Sequence, residues 1–325
     1  MPTRLPARST LRLTPPADGS ARLSVMSSMD PLLPLKKAKH ALLLGRRRAS
    51  RTGIAIRDAV YSRYDTLTPY HFDVDRHRSR IGELPRMYFL HRDPPASSAT
   101  GAEPSEAPRT LFLLWTGDND VPANRLSGIE SLRAANPGLD VTLVTPDALP
   151  GLVVHGHPLH PAYDHLSYVH RSDYLRAYLM HHHGGAYADI KPVDLHFENA
   201  IRRLNSDPDA WIIGYREISS SRVGGRDARL GPELRRRYRS LVGASAFACR
   251  PGTPFTGEWL REIERRLSYY EEDLALHPGD AFGTNPGYPI HWIEIGMDIM
   301  YPLELKHLDH VRYDDSLRPR WTGHR

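Results

Sequence analysis

Cysteine is nearly absent: the chain of 325 residues holds one, Cys249. A lone thiol cannot form an internal disulfide, so a stapled secreted fold is excluded and a reducing compartment fits better. Cys249 follows Ala246, Phe247 and Ala248, and it reads as a small buried hydrophobe in a strand. Lysine is scarce as well. Five of the 43 basic residues are lysine (Lys36, Lys37, Lys39, Lys191 and Lys306), and arginine makes up the rest. Long apolar runs are missing. No window approaches ~20 uninterrupted apolar residues, which argues against a transmembrane helix, and Ala41-Leu42-Leu43-Leu44 is too brief even for a signal-peptide core. No solenoid repeat, helix-turn-helix, zinc knuckle or RNP aromatic pattern occurs, so nucleic acid is not an expected partner.

What is present is an ordinary composition for a globular protein, with 40% hydrophobic and 25% charged residues. The net charge of +5 draws the chain to anionic partners such as a nucleotide, a phosphate or a membrane surface. Residues 1–30 are rich in Pro, Arg, Ser and Thr and read as a disordered basic arm. Residues 31–109 read as a helical extension followed by a Pro- and Ala-rich linker. The basic clusters at 36–40 and 46–48 suggest a surface helix that touches anionic lipid. The expected localisation is cytoplasmic, with peripheral attachment to the inner face of a membrane.

From residue 110 the pattern sharpens. Leu111 to Trp115 is an apolar run with the look of a buried strand. A loop follows, and Pro122 opens a helix that stops at Asn136-Pro137-Gly138. Val141 to Val144 is a second strand. This unit predicts an α/β fold whose sheet binds its ligand beyond the carboxyl ends of the strands. A longer helix is predicted from Tyr168 to His183, stopped by Gly184-Gly185. A strand over Ala186 to Ile190 comes next, then strands at 211–214 and 245–248, and a helix capped by Thr253-Pro254. His181, His182 and His183 cannot all bind one ion, because adjacent side chains on a helix diverge by about 100°, and a role at the helix end is expected over a metal role.

The block from His170 to Lys191 carries the chemistry. It joins an acid-bearing helix, a glycine turn and a strand that ends in a carboxylate. A nucleotide linked to a sugar needs an acceptor for its ribose hydroxyls and positive charge beside its diphosphate. The segment Ser172-Asp173…Gly184-Gly185-Ala186-Tyr187-Ala188-Asp189-Ile190-Lys191 resembles the glycosyltransferases with a DXD sugar-binding region. These include mannosyltransferase-like and capsular-polysaccharide enzymes of the family 32 type, with clostridial toxin catalytic domains as distant relatives. Leu111 to Gly117 resembles their opening nucleotide-binding strand, and Ala246 to Phe255 a later segment.

The resemblance implies a GT-A fold over 110–325, a nucleotide-sugar donor, a glycan or lipid-linked acceptor and retention of anomeric configuration. It implies that Trp115 stacks on the donor base beside Thr116 and Gly117. Asp173 then holds the ribose or the sugar, Arg176 the phosphate or sugar, and Tyr187 lines the pocket. Asp189 and Lys191 are the expected catalytic residues. Each has a bland alternative: Trp115 and Tyr187 as core packing, Asp173 as an ion-pair partner of Arg176. Lys191 stands where the family places a second acid, and Phe112 where members often show histidine. A charged lysine cannot ligate a metal. Three readings follow: a metal-independent enzyme in which Lys191 supplies the charge; an enzyme that holds Mg²⁺ or Mn²⁺ through Asp189 and a later group, with His310 the expected ligand; or a non-catalytic binding protein. A glycoside hydrolase is a more distant alternative. Glu294 and Asp298 are expected near the acceptor cleft.

Overall fold

The computed structural model describes residues 33–73, 89–93, 104–191, 194–224 and 230–319, with side chains from residue 49 onward. The expected basic arm at 1–30 lies outside these residues, as do the side chains of the basic helix at 36–48. By its contacts the chain falls into two units, 1–50 and 51–325. In the first unit the described feature is the start of α1 (Leu33–Leu67). The remainder of α1 belongs to the second unit. There Asp58 accepts from the Ser220 hydroxyl at 2.5 Å, and Asp65 pairs with Arg237 at 3.1 Å. No helix among the described residues is long and apolar enough to cross a membrane.

The second unit is α/β, built on one mixed sheet of six strands in the order β2-β1-β3-β5-β4-β6. The strands are β1 (Thr110–Leu114), β2 (Asp140–Val144), β3 (Gly185–Ala188), β4 (Ile212–Arg216), β5 (Val242–Cys249) and β6 (Val311–Tyr313). β5 runs against both neighbours, and the other pairings are parallel. Alternation along β1 explains the layering. Leu111 and Leu113 face a core shared with α2 (Ala123–Ala135) and α4 (Glu198–Ser206). Phe112 and Leu114 face the opposite core, filled from α3 (Tyr168–His182), α6 (Pro254–Tyr269) and α8 (Met297–Lys306). Cys249 ends β5, fully buried.

Local signals explain the helix ends. Ser167 caps α3 by accepting from the His170 amide, and Thr253 caps α6 by accepting from Thr256. Gly184 ends α3 with φ of 68°, a conformation that only glycine enters without strain. The expected linker is part of the core at its end. The Asn205 amide pairs with both the N–H and C=O of Ala107, at 2.8 and 2.9 Å.

The three histidines at the end of α3 diverge to separate partners. His181 meets the Thr256 hydroxyl at 3.2 Å, His182 packs between Tyr178 and His157, and His183 donates to the Leu152 carbonyl at 2.8 Å. Burial first, and then neighbouring imidazoles, push His181 and His182 from 6.5 down to about 4. The unfolded chain therefore binds more protons than the folded one between about pH 4 and 6.5. Stability is expected to fall as pH drops through that window. For each ring the loss is on the order of 1–2 kcal/mol after solvent screening. Urea titrations of His182→Gln should show a shallower acid limb; an unchanged limb would refute this assignment.

Candidate functional site

A cleft of about 1220 Å³ opens beyond the carboxyl ends of β1, β3 and β4. Eight residues singled out from the sequence line it: Trp115, Thr116, Gly117, Asp173, Arg176, Tyr187, Asp189 and Lys191. The period of two in extended chain accounts for the last three. Tyr187, Asp189 and Lys191 point to one side as β3 ends. The Tyr187 hydroxyl donates to Asp189 Oδ1 at 2.7 Å, and Lys191 Nζ donates to Asp189 Oδ2 at 2.7 Å. The Asp189 amide is fixed in turn by the Ser245 carbonyl on β5, at 2.9 Å.

Helix α3 supplies the second pair. Asp173 and Arg176 are one turn apart, and Oδ1 meets Nη2 at 3.2 Å with both side chains nearly buried. Burial pushes the Asp173 carboxyl up, and Arg176 and His170 partly offset this. Burial opposes the Arg176 charge, but Tyr187, Asp173 and Asp189 around it prevail and hold it above its ordinary value. The Arg176 guanidinium lies over the Tyr187 ring at 4.6 Å and donates to the Ala244 carbonyl at 3.2 Å. Its buried Nε has no hydrogen-bond partner among the described residues.

The loop after β1 closes the third side. Thr116 donates to the Tyr168 carbonyl at 2.6 Å, and the Trp115 indole N–H to the Asn119 carbonyl at 2.8 Å. Tyr168 donates to Asp118 at 2.5 Å, which holds that carboxyl below its usual range. Trp115 is half-buried at the mouth, with its ring available to the cleft.

Helix α2 sets the height of Lys191. A Cβ on Gly128 would fall 2.8 Å from the Lys191 carbonyl carbon, against backbone that has little room to move. Arg125 donates to the neighbouring Ile190 carbonyl. Alanine favours a helix over glycine by about 1 kcal/mol, yet overpacking costs about 1–3 kcal/mol. Gly128→Ala is therefore expected to lower the melting temperature by a few degrees, read by thermal melting. A variant more stable than the parent would refute the close approach.

His310 does not belong to this site. It precedes β6 at the amino end of a parallel strand, the far end of the sheet from the cleft. It stacks on Trp211 at 3.5 Å and bonds the Asp209 carbonyl. Proximity in the fold could not be judged from its place near the carboxyl terminus. Glu294 and Asp298 are likewise buried outside the lining; Glu294 accepts from Tyr270 and from the His291 amide. Sequence reading missed Glu217, Tyr301, Phe282 and Trp292, which reach the cleft from distant segments.

The carboxylates in the cleft are each engaged: Asp118 by Tyr168, Asp173 by Arg176, Asp189 by Tyr187 and Lys191, and Glu217 by Tyr301 at 2.9 Å. Among the described residues no group of three His, Cys, Asp or Glu is placed to hold a metal. No protein-family model and no curated protein matches the chain.

Proposed function

We propose that the protein is a glycosyltransferase of GT-A type that takes its donor from a nucleotide-sugar and works without a bound divalent cation. The observation that carries this reading is the Tyr187–Asp189–Lys191 face, which lines one cleft together with Trp115 and the Asp173–Arg176 pair, the Arg176 guanidinium lying over the Tyr187 ring. The reaction breaks the bond between the anomeric carbon and the donor phosphate oxygen. The bonding electrons leave with the nucleoside diphosphate, the acceptor hydroxyl oxygen forms the new bond to carbon, and its proton passes to the departing phosphate oxygen. Charge gathers on the leaving diphosphate, so fixed cations there lower the barrier. Lys191 supplies that charge where the resembling family has an acid, and Arg176 lines the same cleft as a second fixed cation. Trp115 is suited to stack on the base, and Asp173 to accept from ribose or sugar hydroxyls. Retention of configuration is the expected outcome.

A second reading keeps the same pocket without turnover: a protein that binds nucleotide-sugars only. The Lys191–Asp189 ion pair favours it. A thermal-shift screen against UDP- and GDP-sugars, with Mn²⁺ or EDTA, tests both. Stabilisation in EDTA with slow release of free sugar supports the enzyme. Stabilisation without release supports the binding protein, and no stabilisation by any nucleotide-sugar contradicts both.

A further inference from the structure

Over residues 51–67, helix α1 wears its polarity in reverse. A helix packed on a domain normally turns its apolar stripe inward and its charges to water. Here both acids of the segment, Asp58 and Asp65, point inward. Asp58 accepts from the Ser220 hydroxyl at 2.5 Å and from the Ser220 amide at 3.2 Å. Arg57 Nε donates to the same hydroxyl at 3.0 Å. Two turns on, Asp65 accepts from Arg237 at 3.1 Å and from the Ser240 hydroxyl at 2.7 Å. Between them Tyr61 packs against the core. These contacts fix which face of the helix meets the domain.

The opposite face is apolar and open. Ile56, Val60 and Leu67 are 62%, 60% and 67% exposed. At 3.6 residues per turn these three fall within about 40° of one another, on the far side from Asp58 and Asp65. Ala59 borders the stripe and Arg63 stands within it, both exposed. A run of large apolar side chains left in water marks a contact surface. Its charge says what the contact is. The outward face has no acid, and residues 31–57 of the sequence hold three lysines, five arginines and no acid. A second copy of the chain would bring two such cationic surfaces together with nothing to neutralise them. An anionic bilayer suits both features. Its headgroups attract the basic residues, and the apolar stripe enters the boundary with the acyl chains. Arg63 can lay its stem along the stripe and keep its guanidinium at the phosphates.

We infer that the outward face of α1, at Ile56, Val60 and Leu67, docks on an anionic lipid surface. This docking does not depend on the chemistry of the cleft.

Co-sedimentation of the full chain with phosphatidylcholine vesicles, alone or mixed with phosphatidylglycerol in equal parts, tests it. The chain should bind the anionic vesicles and leave the neutral ones in suspension. Ile56→Gln/Val60→Gln/Leu67→Gln should weaken that binding about tenfold or more, and Leu67→Gln alone about threefold. Added salt should weaken it further. Leu276→Gln, at an exposed leucine elsewhere on the surface, should leave it unchanged. Because the replaced side chains are exposed, circular dichroism and melting temperature should match the parent. Absence of vesicle binding, equal binding to both compositions, or a triple variant that binds like the parent overturns the inference. So does gel filtration in lipid-free buffer that shows a parent dimer and a monomeric triple variant, which would assign the stripe to a second copy.

Discussion

Asp189→Asn is expected to lower donor turnover by about 10²–10³ without weakening the binding of a nucleoside diphosphate. The carboxylate receives two donors, Tyr187 on one oxygen and Lys191 on the other. An amide offers one acceptor oxygen and turns an N–H₂ group toward the second donor. Either the phenol or the ammonium must shift, and a misplacement near 1 Å is enough to cost about 10²-fold in rate. Binding responds in the other direction. Loss of a negative charge beside Lys191 leaves the cleft more positive, so a diphosphate binds as well as before or tighter. Sugar release from the donor gives the rate, and calorimetry with UDP and GDP gives the affinity. Parallel loss in both would show that Asp189 serves folding or simple binding, not the reaction.

Arg176→Gln should have the largest effect on stability. The pair with Asp173 is almost entirely removed from water. Removal of one partner strands the other charge, which costs about 3–5 kcal/mol. For a fold of this size that corresponds to a fall of roughly 10 °C in melting temperature. The Asp173→Asn/Arg176→Gln double variant should recover at least half of the loss, because no uncompensated charge remains. Both should lack turnover. A single variant that melts like the parent would mean that water reaches the pair and that its burial contributes little.

Much of this site can be read from short-range sequence. Tyr187, Asp189 and Lys191 share a face because extended chain repeats every two residues, and Asp173 meets Arg176 because a helix turn brings positions three apart together. The strand, loop and helix order from Leu111 to Asn136 fixes Trp115 at a carboxyl edge in the same way. The helix stops at Gly184 and the caps at Ser167 and Thr253 are local events as well. Contacts that close over long separations leave no such trace. The reversal of β5 follows from hydrogen bonding to β3 and β4, which no period encodes. Glu217 reads as one acid among many until Tyr301, 84 residues later, is seen to bind it. Phe282 and Trp292 lie in an irregular segment without periodicity, and it is the fold that brings them to the cleft. His310 was misplaced for the same reason: nearness to a motif's expected position along the chain says nothing about which end of a parallel strand it precedes. The contacts of α1 with Ser220 and Arg237, more than 160 residues away, are long-range as well.

The central claim is that Lys191, held by Asp189, provides the positive charge for a donor diphosphate. Calorimetric titration of UDP and GDP into the parent chain and Lys191→Ala, each in EDTA and in Mn²⁺, tests it most directly. The account predicts binding in EDTA that Mn²⁺ improves little and that Lys191→Ala weakens about tenfold or more, with melting temperature nearly unchanged. Binding that appears only with Mn²⁺, or that is equally tight in Lys191→Ala, would contradict it.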